Sequence, residues 1–318
     1  MMNAESGTEI DIAQAQAFLA DYYAGESPTV EAVGQGAWSR CYGFSWDTEE
    51  LVIRFGYHVA DFQKDERAFV YAGPALPIPE VLDIGRAFDG YYAISRRVHG
   101  VPLESLNGDE WLAVVPSVVG VLEAMRTADL SATRGVGGWG SDGVAPCADW
   151  SQHLLAVAND TPDRRTYGWR ERLSTNREGE ATFTWGYDLL KAVVDESVSR
   201  SLVHADLISR NVLVAQDGIS GVFDWGCSIY GDHLYDLAWF EFWAPWYSEL
   251  DMGYLRSELE SRWRRVGYAP VNRAARLAAC YLHIGLDHLA YNAYLGDWPM
   301  LSATAERMRA LVAEVDVV

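Results

Sequence analysis

The run "LVHADLISRNVLV" (residues 202–214), followed by "GVFDWG" (221–226), constrains this chain more than any other stretch of it. Two apolar, β-branched-rich segments flank a short polar loop that holds His204, Asp206 and Asn211, and a second short apolar run ends at Asp224. Phosphoryl transfer from a nucleotide needs a carboxylate to position the accepting hydroxyl and take its proton. It also needs hard oxygen ligands to hold magnesium against the phosphates. The spacing H-x-D-x-x-x-x-N, with a further Asp after a short hairpin, supplies both. Asp206 is the candidate base, and Asn211 and Asp224 are the candidate metal ligands. His204 completes the catalytic loop, bracing it by hydrogen bonds. Any one of these residues alone is an ordinary turn former; four in register between strand-like runs are not.

Such a site requires further parts upstream, in a fixed order. "GQGAWSR" (34–40) lies between two strand-like runs and offers Gly36 and Ser39 as cover for the phosphates. "LVIRF" places Arg54 on the next strand as the cation for the α- and β-phosphates. "KDERAF" offers Glu66 on a helix as the carboxylate partner of that cation, with Asp65 as a neighbouring alternative. The joint at Ser95–Val98 would read adenine largely through its backbone, which makes Ser95 and Val98 the remaining nucleotide candidates.

The rest of the chain organises around these parts. Residues 11–24 have helical spacing with Asp11 as cap. Three strand-like runs follow between Thr29 and Phe55, then a helix over 61–72, then two strands around a turn at Asp89-Gly90. Beyond Gly100 the pattern turns helical. A long helix starts near Asp109 and carries Pro116 as a kink or as its true start. The glycine-rich stretch "RGVGGWGSDGVAP" (134–146) reads as a surface loop. Helices are expected from Trp185 to Val198 and again from about Asp232. The expected fold class is α+β: a small antiparallel N-terminal lobe (1–96) that binds nucleotide, and a larger, mostly helical C-terminal lobe (97–318) with the catalytic loop and acceptor pocket.

Charge and cysteine usage exclude several classes. With 25 basic and 45 acidic side chains the formal net charge is −20, which argues against nucleic acid or an anionic membrane as partner. That balance suits a cationic small molecule, although a solubilising surface accounts for it as well. No run of eighteen apolar residues and no secretory signal are present, and the four cysteines are scattered without metal-like pairing. A cytoplasmic protein with reduced thiols is expected, and a monomer.

The chain also resembles the aminoglycoside phosphotransferase family, and within it the hygromycin B 4-O-kinase branch. The segments that carry this are "ALPIPEVLDIG" (75–85), "ISRR" (94–97), "ADLS" (128–131), "LVHAD" (202–206), "NVL" (211–213), "FW" with "PW" (242–246) and "IGLDHL" (284–289). The resemblance spans about residues 30 to 295. It implies a bilobal protein-kinase-like fold, ATP as donor, Mg2+, and an amino-sugar antibiotic as acceptor. Arg54 stands where the general kinase pattern has lysine, a change that keeps the charge but alters the donor geometry. "DWG" stands where protein kinases have "DFG", and the carboxylate is kept.

A polycationic sugar would be held by carboxylates and flat aromatic faces. The candidates in the C-terminal lobe are Asp236, Glu241 and Trp243, together with Asp287 and Tyr291, which share a helix face at a spacing of four. Asp232 and Asp236 have a second reading as braces of the catalytic loop. Two other functions remain open at this level: a kinase of another small hydroxylated molecule, with the same fold and a different pocket, and a nucleotide-binding pseudokinase, favoured only by Arg54.

Overall fold

The computed structural model describes residues 10–26, 28–35, 39–195, 198–216 and 218–315. Helix α1 (Ile12–Tyr22) opens with a capping box in which Asp11 and Gln14 satisfy each other's backbone N–H groups. Strands β1 (Val30–Gln35), β2 (Ser39–Trp46) and β3 (Glu49–Gly56) follow, then helix α2 (Val59–Ala68), then β4 (Val81–Ala87) and β5 (Gly90–Arg96). The five strands form one antiparallel sheet in the order β1-β2-β3-β5-β4. Phe44, Ile53, Phe55 and Ile94 bury one face of that sheet against Ala15 and Leu19 of α1, an apolar cluster separate from the main core. Helix α2 ends four residues earlier than the sequence pattern suggested and passes into a 3-10 turn at Phe69–Tyr71.

After the short strand β6 (Val101–Pro102), helix α3 (Gly108–Arg126) begins at an Asn107–Glu110 capping box. It runs through Pro116, which therefore does not mark its start. The residue is exposed and so is Leu112 one turn before it, so the carbonyl that loses its partner faces water. The glycine-rich stretch is not a plain surface loop. Val136, Trp139 and Ala145 are buried in it, and β7 (Gly137–Gly138) pairs with a central strand. Gly135 has φ +74°, and a Cβ there would lie 1.9 Å from the Ala145 carbonyl oxygen, so the glycines permit a close chain crossing.

Helices α4 (Trp150–Leu155), α5 (Trp169–Leu173) and α6 (Arg177–Val193) come next; the last follows an Asn176 cap and starts eight residues before the expected Trp185. The short strands β8 (Ser201–Val203), β9 (Val212–Ala215), β10 (Gly218–Val222) and β11 (Ile229–Gly231) interrupt the helical half. They form two small sheets, β10-β9-β6 and β7-β11-β8. The chain closes with α7 (Leu234–Trp243), α8 (Met252–Arg265), α9 (Arg273–Leu295) and α10 (Trp298–Glu314). Helix α9 is the axis of this half: α5, α6, α7 and α10 all pack on it, and buried Leu282, Ile284, Leu286 and Leu289 lie along it. No described helix is long and apolar enough to cross a membrane.

Candidate active site

Strands β9 and β10 form a hairpin in which Val212 faces Val222, and the Phe223 N–H donates to the Asn211 carbonyl at 3.0 Å. Asn211 and Asp224 are thirteen residues apart in sequence, yet they emerge side by side from the same end of this hairpin. Strand β8 ends at Val203 and delivers His204, Ala205 and Asp206 to the same place. Asn211 Nδ2 donates to the Asp206 carboxylate at 3.1 Å and to its carbonyl at 2.8 Å, and the Ser209 hydroxyl donates to the other carboxylate oxygen.

Three non-glycine residues here adopt left-handed backbone: Ala205, Arg210 and Asp224, each with φ +64°. Such positions cost of order 1–2 kcal/mol and persist only where the surroundings over-determine them. For Ala205 the surroundings are Asp236, whose two carboxylate oxygens accept the His204 N–H at 2.9 Å and the Ala205 N–H at 2.8 Å. Asp236 is 2% exposed and does not line the cavity. It braces the catalytic loop, so its assignment to the acceptor is corrected. His204 is fully buried beside the Trp225 ring, with Nε2 at 3.1 Å from the Phe223 carbonyl. Burial pushes its imidazole down to about 4, so it is neutral and positions the loop without meeting the reactants.

Across the cleft, Arg54 on β3 pairs with Asp65 of α2. Glu66, the residue expected in that role, is exposed: the helix turn that buries Asp65 carries its successor out to solvent. Asp65 also accepts the Trp225 N–H at 2.7 Å, which links the cation directly to the "DWG" turn. Burial pulls the Arg54 guanidinium down, but the carboxylates of Asp65 and Asp224 outweigh it and hold it above its ordinary value.

One cavity of about 1260 Å³ joins these parts. On the sheet side it is lined by Ser39, Arg54, Ser95 and Val98, and at its centre by Asp206, Asn211 and Asp224. Trp243, Asp287 and Tyr291 line its helical side, as their shared placement near α7 and α9 required. Gly36 falls outside the described residues. Glu241 does not line the cavity; buried on α7, it is held by partly exposed Arg256 and by the Tyr281 hydroxyl, so its assignment to the acceptor is corrected. Asp232 is likewise spent, in a two-pronged pair with Arg276 at 2.8 and 2.6 Å.

Sequence reasoning missed several cavity residues. Arg164 and Arg165, in the segment between α4 and α5, reach Asp287 at 3.4 Å and Asp61 of α2 at 2.8 Å. His153, His283 and His288 line the helical side, all pushed down by burial and therefore neutral, His153 to about 4. The segment "NDTPDRRTYG" (159–168) is rich in turn-forming residues and carries no spacing that points toward the cleft.

Burial raises the Asp206 carboxyl to about 7, against the pull of its Ser209 and Asn211 hydrogen bonds and with a further push from the Asp224 charge. Asp224 is raised by burial and then by Asp65. Charges so crowded suit a divalent cation. Asn211 and Asp224 are hard oxygen donors, and the engaged Asn211 amide nitrogen leaves its oxygen as the free end. Among the described residues no three His, Cys, Asp or Glu side chains are grouped to hold a metal ion by themselves.

Residues 29–270 match the family described as "Phosphotransferase enzyme family". The chain belongs to that family. This phosphotransferase is 30% identical over 306 residues to hygromycin-B 4-O-kinase of Escherichia coli, which covers 96% of this chain and 86% of that protein. It superposes on the crystal structure of aminoglycoside phosphotransferase APH(4)-Ia with a TM-score of 0.82, at 30% identity, over 97% of this chain and 100% of that one. A ternary complex of a thermostable mutant of the same enzyme with AMP-PNP and hygromycin B gives a TM-score of 0.81 at 31% identity, over 95% and 99% of the two chains. Spectinomycin phosphotransferase APH(9)-Ia, at 12% identity and a TM-score of 0.58 over 98% and 99%, shares the fold alone. The bilobal kinase-like fold expected from the sequence is therefore the fold of this phosphotransferase.

Proposed function

We propose that this phosphotransferase moves the γ-phosphoryl group of ATP to a hydroxyl of hygromycin B or a closely related aminocyclitol antibiotic, with Mg2+ bound by Asn211 and Asp224. The observation that carries the reading is the single cavity with two chemically distinct ends. Arg54, Ser39, Ser95 and Val98 face one end, Asp287, Trp243 and Tyr291 the other, and Asp206 stands between them. The division into a nucleotide-binding lobe (1–96) and an acceptor-binding lobe (97–318) belongs to the same reading. So do a monomeric state and a cytoplasmic location.

Asp206 orients the acceptor hydroxyl and accepts its proton as that oxygen attacks the γ-phosphorus. The bond between the γ-phosphorus and the bridging oxygen breaks, and ADP leaves with the electron pair. Arg54, locked by Asp65, neutralises charge on the α- and β-phosphates. A bound magnesium would offset negative charge on the phosphates. The acceptor end suits a polycation: half-buried Asp287 offers a carboxylate there, and the three histidines are held neutral, so they add no positive charge to repel an ammonium. Intact Asp206, Asn211 and Asp224 argue against a pseudokinase, which only Arg54 favours.

The test is to incubate the purified protein with ATP, magnesium and hygromycin B and follow the antibiotic by mass spectrometry, with Asp206→Ala as control. Gain of one phosphoryl group by the wild type alone is expected. Nucleotide binding without any gain would keep the fold and remove hygromycin B as the acceptor; a panel of other amino sugars, amino alcohols and macrolides would then be tried.

A further inference from the structure

Helix α2 sends two consecutive charged side chains into the turn that follows Asp224. Asp65 takes the Trp225 N–H and holds Arg54. Lys64, only 8% exposed, takes the other polarity of the same turn: its Nζ donates to the Gly226 carbonyl and to the Ser228 carbonyl, both at 2.8 Å. The Trp139 ring covers the ammonium at 4.9 Å. Lys64 does not line the cavity, so it touches neither nucleotide nor acceptor.

Burying an ammonium is costly unless it is hydrogen-bonded and paired. Here that cost secures a specific object. Asp224 sits in left-handed backbone at φ +64°, a conformation that must be imposed by its neighbours. The residues immediately after it are gripped from both sides, by an acceptor on the Trp225 N–H and a donor on the Gly226 and Ser228 carbonyls. Both grips come from one rigid helix turn that also carries the partner of Arg54. The turn also packs close to the carboxylates it serves: a Cβ on Gly226 would lie 3.3 Å from the Asp61 carboxyl carbon and 3.5 Å from an Asp224 carboxylate oxygen.

We propose that Lys64 is a positioning residue for the metal site, holding the Trp225–Ser228 turn so that Asp224 presents its carboxylate to magnesium in register with Arg54. The inference rests on the reading of Asn211 and Asp224 as magnesium ligands. It predicts a defect in metal use that loss of stability alone would not produce. Removing Lys64 leaves Arg54, Asp65 and the nucleotide-facing surface in place, while the turn loses two charge-assisted bonds.

The test compares wild type with Lys64→Met, which keeps the apolar stem, and Lys64→Gln, which keeps a donor nitrogen and serves if the Met variant does not fold. ADP binding is measured by calorimetry with and without magnesium, and kcat is measured against magnesium concentration. The expected result is a metal-free ADP affinity within about two-fold of wild type, and a magnesium midpoint raised by about ten-fold or more. Lys64→Arg should recover part of the shift, since it keeps a charged donor. A folded variant with an unchanged magnesium midpoint overturns the proposal, whatever its melting temperature. ADP binding needs no antibiotic, so failure of hygromycin B as acceptor leaves this test intact. A wild type whose ADP binding ignores magnesium overturns both the metal reading and this proposal.

Discussion

Asp206 keeps its proton up to about pH 7 because the loop desolvates its carboxyl and the Asp224 charge adds to the penalty, while hydrogen bonds from Ser209 and Asn211 only partly oppose them. A base in that state works as its carboxylate, so kcat/KM should rise with pH through about 7 and level off above it. At pH 6 it should stand about ten-fold below the plateau, as a pH profile of the wild type would show. The same shift has a stability sign. Because the folded protein binds this proton more tightly than the unfolded chain, the favourable contribution is full below about 3.8, the ordinary value, and lost as pH rises to about 7. Asp206→Asn should therefore be inactive yet melt above wild type at pH 8, by the equivalent of roughly 1–2 kcal/mol, with the gap closing towards pH 4. Equal melting temperatures at pH 8 would mean that the carboxyl is not strained by its surroundings.

Helix α2 shows how an element sorts neighbouring residues of similar chemistry. "KDE" places three charges in a row, and successive helix positions are separated by about 100°. Lys64 and Asp65 turn inward onto the turn that follows Asp224, and Glu66 turns out to water. The pair Asp65→Asn and Glu66→Gln separates their roles. The first should lower kcat/KM by about 10²-fold, because it weakens the lock on Arg54. The second should stay within about two-fold of wild type. Steady-state kinetics on both variants decides it, and similar losses would mean that α2 presents a different face during turnover. Helix α7 sorts in the same way: Asp236 in its first turn reaches back to the catalytic loop, while Glu241 points into the core against Arg256 and Tyr281.

Among the described residues a sheet-side and a helix-side apolar cluster flank the large cavity, and the proposed chemistry needs side chains from both sides. Asp287 lines the helical end of the cavity, and its pairing with Arg164 is weak and half-exposed, one that an ammonium of the proposed acceptor can replace. Asp287→Asn should raise KM for the antibiotic by about 5- to 20-fold and leave KM for ATP unchanged, as initial-rate measurements with each substrate varied would show. An equal rise in both would place Asp287 in lobe closure and not in recognition.

The catalytic set was legible because its parts are local. Asp206, Asn211 and Asp224 lie on one hairpin and its flanking loop, where the β-sheet period and the hairpin length dictate which side chains emerge together. Arg54 was legible because it is the one cation on the strand that follows the glycine-containing loop. The resemblance supplied the acceptor class, and with it Asp287 and Tyr291 on one helix face. What the sequence could not decide were relations between residues far apart in the chain. Asp65 over Glu66, Lys64 under the "DWG" turn, Asp236 bracing a loop and Glu241 buried in an ion pair each depend on how a helix is rotated against a neighbouring element. Arg164 and Arg165 depend on which way a loop folds over a cleft. Sequence spacing fixes angles along one element, but rotation and docking between elements are set by the packing of the cores, and only the tertiary structure contains that.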